Sequence, residues 1–192
     1  LLETGMRVSE FCGLTISDLD FKNRKIKIQK QLSGTSVGKS YINTPKSSSG
    51  NRIVPMTDKA YESLQNIINQ RNDCQMSIDG INDFLLVSNR KKPLIAANME
   101  AMMYVDYKKY IKIYPNSDIP KITPHVLRHT FCSNMMRNGV NIKVVQYLMG
   151  HSSVSLTLDR YTHIDYKTVE QEVKNVQSSI GSYYTNYYTN QS

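Results

Sequence analysis

Among residues 123–163, TPHVLRHTFCSNMMRNGVNIKVVQYLMGHSSVSLTLDRYTH, four side chains stand out for their types and spacing: His125, Arg128, His151 and Tyr161. They are the groups that a phosphodiester-cleaving site working without a metal requires. A phosphodiester under attack spreads negative charge over its oxygens, so the protein must supply fixed positive charge and hydrogen-bond donors around the phosphorus. Arginine suits this best, because its planar fork reaches two oxygens and stays charged at every working pH. In a helix His125 and Arg128 share one face. His151 follows Gly150, a predicted helix terminator, and so belongs on a turn. Tyr161 lies ten residues beyond His151, far enough for a turn and a short helix to return its hydroxyl. A tyrosine that attacks phosphorus leaves a covalent aryl phosphate, which stores the bond until a second hydroxyl replaces it, without ATP.

Taken singly, each of these residues is an ordinary surface histidine, arginine or tyrosine. Taken jointly, HVLRHT, then LMGHSS, then a tyrosine ten residues past that histidine, resemble the catalytic domain of the tyrosine recombinase (phage-type integrase) family. The resemblance extends over residues 1–177 and implies a mainly helical α+β catalytic domain with a small three-stranded antiparallel sheet on one edge. It implies a site-specific recombinase that cleaves and rejoins DNA through a 3′-phosphotyrosyl link, with no metal or cofactor. Near the start of the chain TG-x-R-x-x-E matches the family's first catalytic arginine, Arg7, with Glu10 as a supporting acid that holds Arg7 in its phosphate-clamping rotamer. Without the family, Arg7 and Glu10 are only an (i, i+3) helix pair. TPKSSSGNRIVPM resembles the family hairpin that carries a catalytic lysine, here Lys46, which would protonate the departing 5′ oxygen. Lys39 and Lys30 are alternatives that only the motif match places behind it. Carried over position by position, the catalytic set is Arg7, Lys46, His125, Arg128, His151 and Tyr161. His129 and His163 match no catalytic position and are expected to be structural or exposed.

The bulk properties agree with such a partner. The 192 residues carry 24 Lys and Arg against 16 Asp and Glu, a net +8, which favours a polyanion, and double-stranded DNA is the first candidate. A hydrophobic content of 40% with 9% aromatic residues fits a globular domain with a core of its own. No twenty-residue apolar run and no signal peptide occur, so a cytoplasmic protein is expected. Cys12, Cys74 and Cys132 are widely separated and read as reduced thiols. The chain lacks an initiator methionine and opens in what reads as a helix end, so an upstream domain is expected.

The elements that must position these residues can be read in order. Gly5 breaks a first helix, Arg7 opens the next with Val8 and Phe11 inward, and Gly13 ends it. RKIKIQKQ, YINT and NRIVPM read as the three antiparallel strands. Thr57 or Asp58 caps a helix with Ala60, Tyr61, Leu64, Ile67 and Ile68 on its core face. Residues 71–83 read as a loop, FLLV from Phe84 as a buried segment, and NRKKP as a basic turn. A helix from about Asn98 places Met99, Met102, Met103, Tyr107, Tyr110 and Ile111 on one stripe, expected to be core, flanked by Lys108, Lys109 and Lys112. Thr123 followed by Pro124 is a helix start, placing His125 near an N-terminus where backbone N–H groups favour an anionic phosphate. That helix ends at Gly139, Asn141 caps the next, and Ser152 or Ser153 caps the helix bearing Tyr161. Asp165 caps a last helix with Val169, Val173, Val176 and Ile180 in a stripe, which packs on its own domain or docks on a neighbouring protomer, as in the family's ring-shaped tetramers. Residues 178–192 form a polar, Tyr-rich tail expected to be disordered when free.

Two other readings stay open at this stage. A basic helix-turn-helix regulator without catalysis would explain the charge and the helix pair across Gly139, but leaves Arg7 and the Lys46 hairpin without a role. A type IB topoisomerase would share the phosphotyrosyl chemistry and need no defined site.

Overall fold

The computed structural model describes residues 1–34, 39–44 and 50–152. Lys46, Ser153, Tyr161, His163, Asp165, the stripe residues Val169, Val173, Val176 and Ile180, and the tail lie outside the described residues, which end at Ser152.

Leu1 to Gly5 form one helical turn closed by Gly5 N–H to the Leu1 carbonyl at 2.9 Å. Helix α1 (Val8–Cys12) follows, and a 3-10 turn (Ile16–Asp18) leads into strand β1 (Leu19–Asp20). Strand β2 (Lys25–Ile28) alternates as its sequence demands, Lys25 and Lys27 exposed, Ile26 and Ile28 buried. It pairs antiparallel with β1 on one side and on the other with a late strand, Arg52–Pro55, in a register that sets Ile26 opposite Val54 and Ile28 opposite Arg52. Between them in the chain, β3 (Gln31–Ser33) and β4 (Tyr41–Asn43) make a separate two-stranded ribbon, and Arg52–Pro55 is β5.

The three-stranded antiparallel sheet is therefore present, but its third member is Leu19–Asp20 and not the YINT segment. The long alternating run breaks at Lys30, whose ammonium turns aside to pair with the buried Asp18 carboxylate and the Thr15 hydroxyl. Residues beyond Lys30 leave the first ladder and pair among themselves.

Helix α2 (Asp58–Gln70) is capped by Thr57, whose hydroxyl accepts from the Ala60 N–H at 3.1 Å, and buries Ala60 and Leu64. The core gathers Met6, Leu14, Ile26, Ile28, Val54 and the wholly buried Phe84 and Leu85 of the FLLV segment. Helix α3 (Ala96–Ile113) corrects one expectation: none of its residues is buried. Met99, Met103, Tyr107 and Ile111 are half-buried at four-residue intervals, whereas Met102 and Tyr110 sit one row over and are 53% and 39% exposed. The helix lies against the core along a line narrower than its apolar stripe. Helices α4 (Pro124–Arg137) and α5 (Ile142–Met149) begin and end where their caps dictate. Thr123 accepts from the Val126 N–H, Asn141 from the Lys143 N–H, and Gly150 closes α5 at φ 61°. No described helix is long and apolar enough to cross a membrane.

Candidate active site

The C-terminal end of α5 is where the site assembles. A helix leaves its last carbonyls without intrahelical donors, and these oxygens carry the negative end of the helix dipole. Here three consecutive ones are taken by three arginines from three other parts of the chain. Arg52 Nε donates to the Leu148 carbonyl at 2.8 Å, Arg128 Nη2 to that of Met149, and Arg7 Nη2 to that of Gly150 at 3.1 Å. His151 follows directly, half-buried, its carbonyl accepting from Gln146 Nε2 at 3.2 Å.

Arg7 is the residue before α1, and Glu10 reaches back to it in two ways. The carboxylate accepts the Arg7 backbone N–H at 2.7 Å, as an acid in the first turn of a helix does, and also the Arg7 Nη1 at 2.9 Å. Glu10 is 2% exposed, while the Arg7 side chain keeps 40% of its surface open, so the guanidinium is anchored through Nη1 on Glu10 and Nη2 on Gly150 and still has surface accessible to a partner. Burial alone would push the Glu10 carboxyl up. The hydrogen bonds and charge of Arg52, joined by those of Arg7, outweigh it and hold Glu10 below the usual carboxylate range.

Arg128 sits on the inner face of α4 and is 6% exposed. Besides Met149 it donates through Nη1 to the Gly5 carbonyl, which ties α4 to the turn just before Arg7. Gly5 is at φ +64°, and a Cβ there would meet the Phe131 ring at 2.3 Å. Glycine is thus required twice over at the residue that holds Arg128. Burial first, then the neighbouring Arg7 charge, lower the Arg128 guanidinium to about 9, which leaves it protonated at neutral pH.

His125 is exposed in the first turn of α4. His129, one turn further and half-buried, lies against it with the Nε2 atoms 2.7 Å apart and the rings edge-to-face at 4.2 Å. His129 is therefore structural in a specific sense: it is the hydrogen-bond partner of the catalytic candidate one turn before it. Of the two lysines offered beside Lys46, Lys30 is committed to Asp18 and Thr15, and Lys39 is exposed.

Arg52 has no part in the motif reading. Its side chain is fully buried and grips Glu10 with both Nη atoms, at 2.8 Å to Oε2 and 3.1 Å to Oε1. A signal for it was available, since Arg52 stands in phase with Val54 and Met56 and so on the inward face of its strand. Two guanidiniums, Arg7 and Arg52, thus bind one carboxylate, and the third, Arg128, lies near enough to feel its charge, a local surplus of positive charge suited to a phosphate. Among the described residues no group of three or more His, Cys, Asp or Glu side chains is placed to hold a metal. The Cys12 thiol is buried and pushed up to about 12 by that burial and by the Glu100 charge, and is inert.

Comparison with known proteins places the chain in a family and matches its fold. Residues 1–168 match the phage integrase family. The chain is 45% identical over 176 residues to the transposase from transposon Tn916 of Enterococcus faecalis, a match covering 91% of this chain and 43% of that protein. It is 33% identical over 165 residues to the tyrosine recombinase XerC of Thermodesulfovibrio yellowstonii, covering 85% and 48% respectively. Its fold superposes with a TM-score of 0.82, at 40% identity, on the Tn1549 transposon integrase in complex with transposon right end DNA, over 92% of this chain and 56% of that one. The chain spans about half the length of the proteins it matches. The fold is that of a tyrosine recombinase catalytic domain, and a match running from residue 1 to residue 168 takes in every motif from Arg7 to Tyr161: the chain belongs to the phage integrase family.

Proposed function

We propose that the protein is a site-specific DNA recombinase of the integrase type, serving the integration and excision of a mobile element in the cytoplasm. The observation that carries this reading is the meeting of Arg7 and Arg128 on adjacent carbonyls, Gly150 and Met149, beside His151. Two guanidiniums from opposite ends of the described chain form the clamp that a phosphodiester in transition needs. The catalytic unit is taken to span residues 1–177, with residues 178–192 as its tail.

In this reading Arg7 and Arg128 hold the scissile phosphate and His151 adds a hydrogen bond. His125 helps to accept the Tyr161 proton. An ordinary tyrosine ionises near pH 10, about three units above neutrality, so the base and the two arginines together make the oxygen nucleophilic. The Tyr161 oxygen bonds to phosphorus as the bond from phosphorus to the 5′ oxygen breaks, and Lys46 supplies the proton that the 5′ oxygen leaves with. Attack by the 5′ hydroxyl of a second strand reverses these steps and frees the tyrosine. Exchange between two duplexes requires four protomers on double-stranded DNA, and the helix expected to carry Val169, Val173, Val176 and Ile180 is the candidate link between neighbours. The solved complex of the related Tn1549 integrase with transposon end DNA supports the choice of DNA as partner.

The test incubates the protein, expressed at full gene length, in EDTA with nicked duplexes from the ends of its element, and resolves the products on a denaturing gel. A DNA band retarded by the mass of the protein, absent in Tyr161→Phe and in Arg128→Ala, is expected. Tight binding with no covalent species across the pool would overturn the reading in favour of a regulator. Relaxation of supercoiled DNA without a defined site would favour a topoisomerase.

A further inference from the structure

Arg52 has four donor contacts, and they reach three supports of the site: Glu10, Leu148 and Gly50. It grips both oxygens of Glu10, which in turn holds the backbone and the guanidinium of Arg7. It holds the Leu148 carbonyl, the first of the three that end α5 before His151. It also reaches the Gly50 carbonyl at 3.4 Å, four residues along the chain from Lys46. A charge at an inward strand position is costly unless every donor is satisfied, and hydrophobic residues of that volume are commonly as good for stability alone. Arg52 is opposite Ile28 in the register and in phase with Val54, where an aliphatic side chain would complete the sheet's inner face.

We infer that Arg52 is a positioning residue for strand cleavage: by fixing the Glu10 carboxylate and the end of α5, it sets the rotamer in which Arg7 meets the scissile phosphate. This rests on the recombinase reading above. Glu10 has two oxygens and two arginines to serve. Arg52 takes one hydrogen bond on each oxygen, which fixes the plane of the carboxylate, and Arg7 is then aligned against that plane by its backbone N–H on Oε2 and its Nη1 on Oε1. With Arg52 gone, Glu10 can rotate to face Arg7 alone and draw the guanidinium inward, off the Gly150 carbonyl and away from solvent. Arg52 never touches DNA in this scheme, because its side chain has no exposed surface. A displacement of this kind, on the order of an ångström, costs a catalytic group about 10²-fold in rate.

The experiment compares the full-length protein with Arg52→Lys and Arg52→Met on two nicked duplexes, one with the normal scissile phosphate and one with a neutral methylphosphonate there. Arg52→Lys retains the buried charge and so the fold, but an ammonium cannot bridge both Glu10 oxygens and Leu148. Melting temperature and DNA affinity are measured alongside. The rate of covalent-complex formation on the phosphate should fall about 10²-fold in Arg52→Lys with DNA affinity retained. On the methylphosphonate, where there is no anionic oxygen for Arg7 to neutralise, the variant should come to within a few-fold of the unsubstituted protein. Equal losses on both substrates, or no loss on either, would overturn the inference, because a residue that only supports the fold does not distinguish a charged from a neutral phosphorus. No covalent complex from the unsubstituted protein on either substrate would overturn the recombinase reading itself, and this inference with it.

Discussion

Arg7 and Arg128 hydrogen-bond to neighbouring carbonyls at the end of one helix, Gly150 and Met149, but they do so from different surroundings. Arg7 keeps 40% of its side chain exposed, whereas Arg128 is 6% exposed and spends a second donor on Gly5. The two arginines should therefore separate under conservative substitution. Arg7→Lys should leave the melting temperature nearly unchanged and slow covalent-complex formation by about 10²-fold, the usual loss for one transition-state donor. Arg128→Lys should lose a similar rate and also melt earlier, because the Gly5 or Met149 carbonyl goes unpaired in a buried place. Parallel melting curves and gel assays of the two variants check this, and equal melting temperatures would contradict it.

Glu10 makes the stability of the protein depend on pH in a stated direction. Its folded-state carboxyl is held below the usual range, so across the window between the folded and unfolded values the unfolded chain binds more protons and stability rises with pH. The contribution is complete above the unfolded value, about 4.3, and is lost as pH falls through the depressed folded value. Glu10→Gln should cost about 3 kcal/mol at neutral pH, as breaking a buried pair does. The gap to the unsubstituted protein should close only in acid below the ordinary carboxylate range. Denaturant titrations from neutral to strongly acidic pH measure this, and a gap independent of pH would refute it.

Lys46 can be told apart from Lys39 and Lys30 by changing the leaving group. An alkoxide needs a proton to depart, whereas a thiolate, whose acid ionises near pH 8.5, does not. Lys46→Ala should be slow on a normal phosphodiester and recover on a substrate with sulfur in place of the bridging 5′ oxygen. Lys30→Met should show no such selectivity, because Lys30 is bound to Asp18 and Thr15; instead it should lower stability. If sulfur restores a Lys39→Ala variant and not Lys46→Ala, the assignment moves to Lys39.

Gly5 and Gly139 both have positive φ, at 64° and 71°, but only Gly5 has close neighbours. Gly139→Ala should cost only the backbone strain of a left-handed residue, about 1–2 kcal/mol. Gly5→Ala adds a Cβ 2.3 Å from the Phe131 ring and displaces the carbonyl that holds Arg128, so it should cost clearly more and reduce cleavage as well. Chemical denaturation of the two variants provides the comparison.

The sequence by itself determined the local chemistry of this protein. Thr57, Thr123 with Pro124, Asn141 and Gly150 start or stop helices by contacts within a turn of themselves, so their roles depend on nothing distant. Glu10 reaching back to Arg7 is local in the same way, and the motifs around Arg128 and His151 name candidates because those residue types have few other reasons to recur at that spacing. What only the tertiary structure decided is nonlocal. Which strand completes the sheet depended on Lys30 finding Asp18, and how much of the α3 stripe is covered depended on the width of the surface that meets it. The attachment of Arg7, Arg52 and Arg128 to the carbonyls of Leu148, Met149 and Gly150 joins parts of the chain up to 143 residues apart. No periodicity encodes such a junction, because the partners are backbone oxygens, identical in every residue, and only the folded position of a helix end makes three of them available in a row.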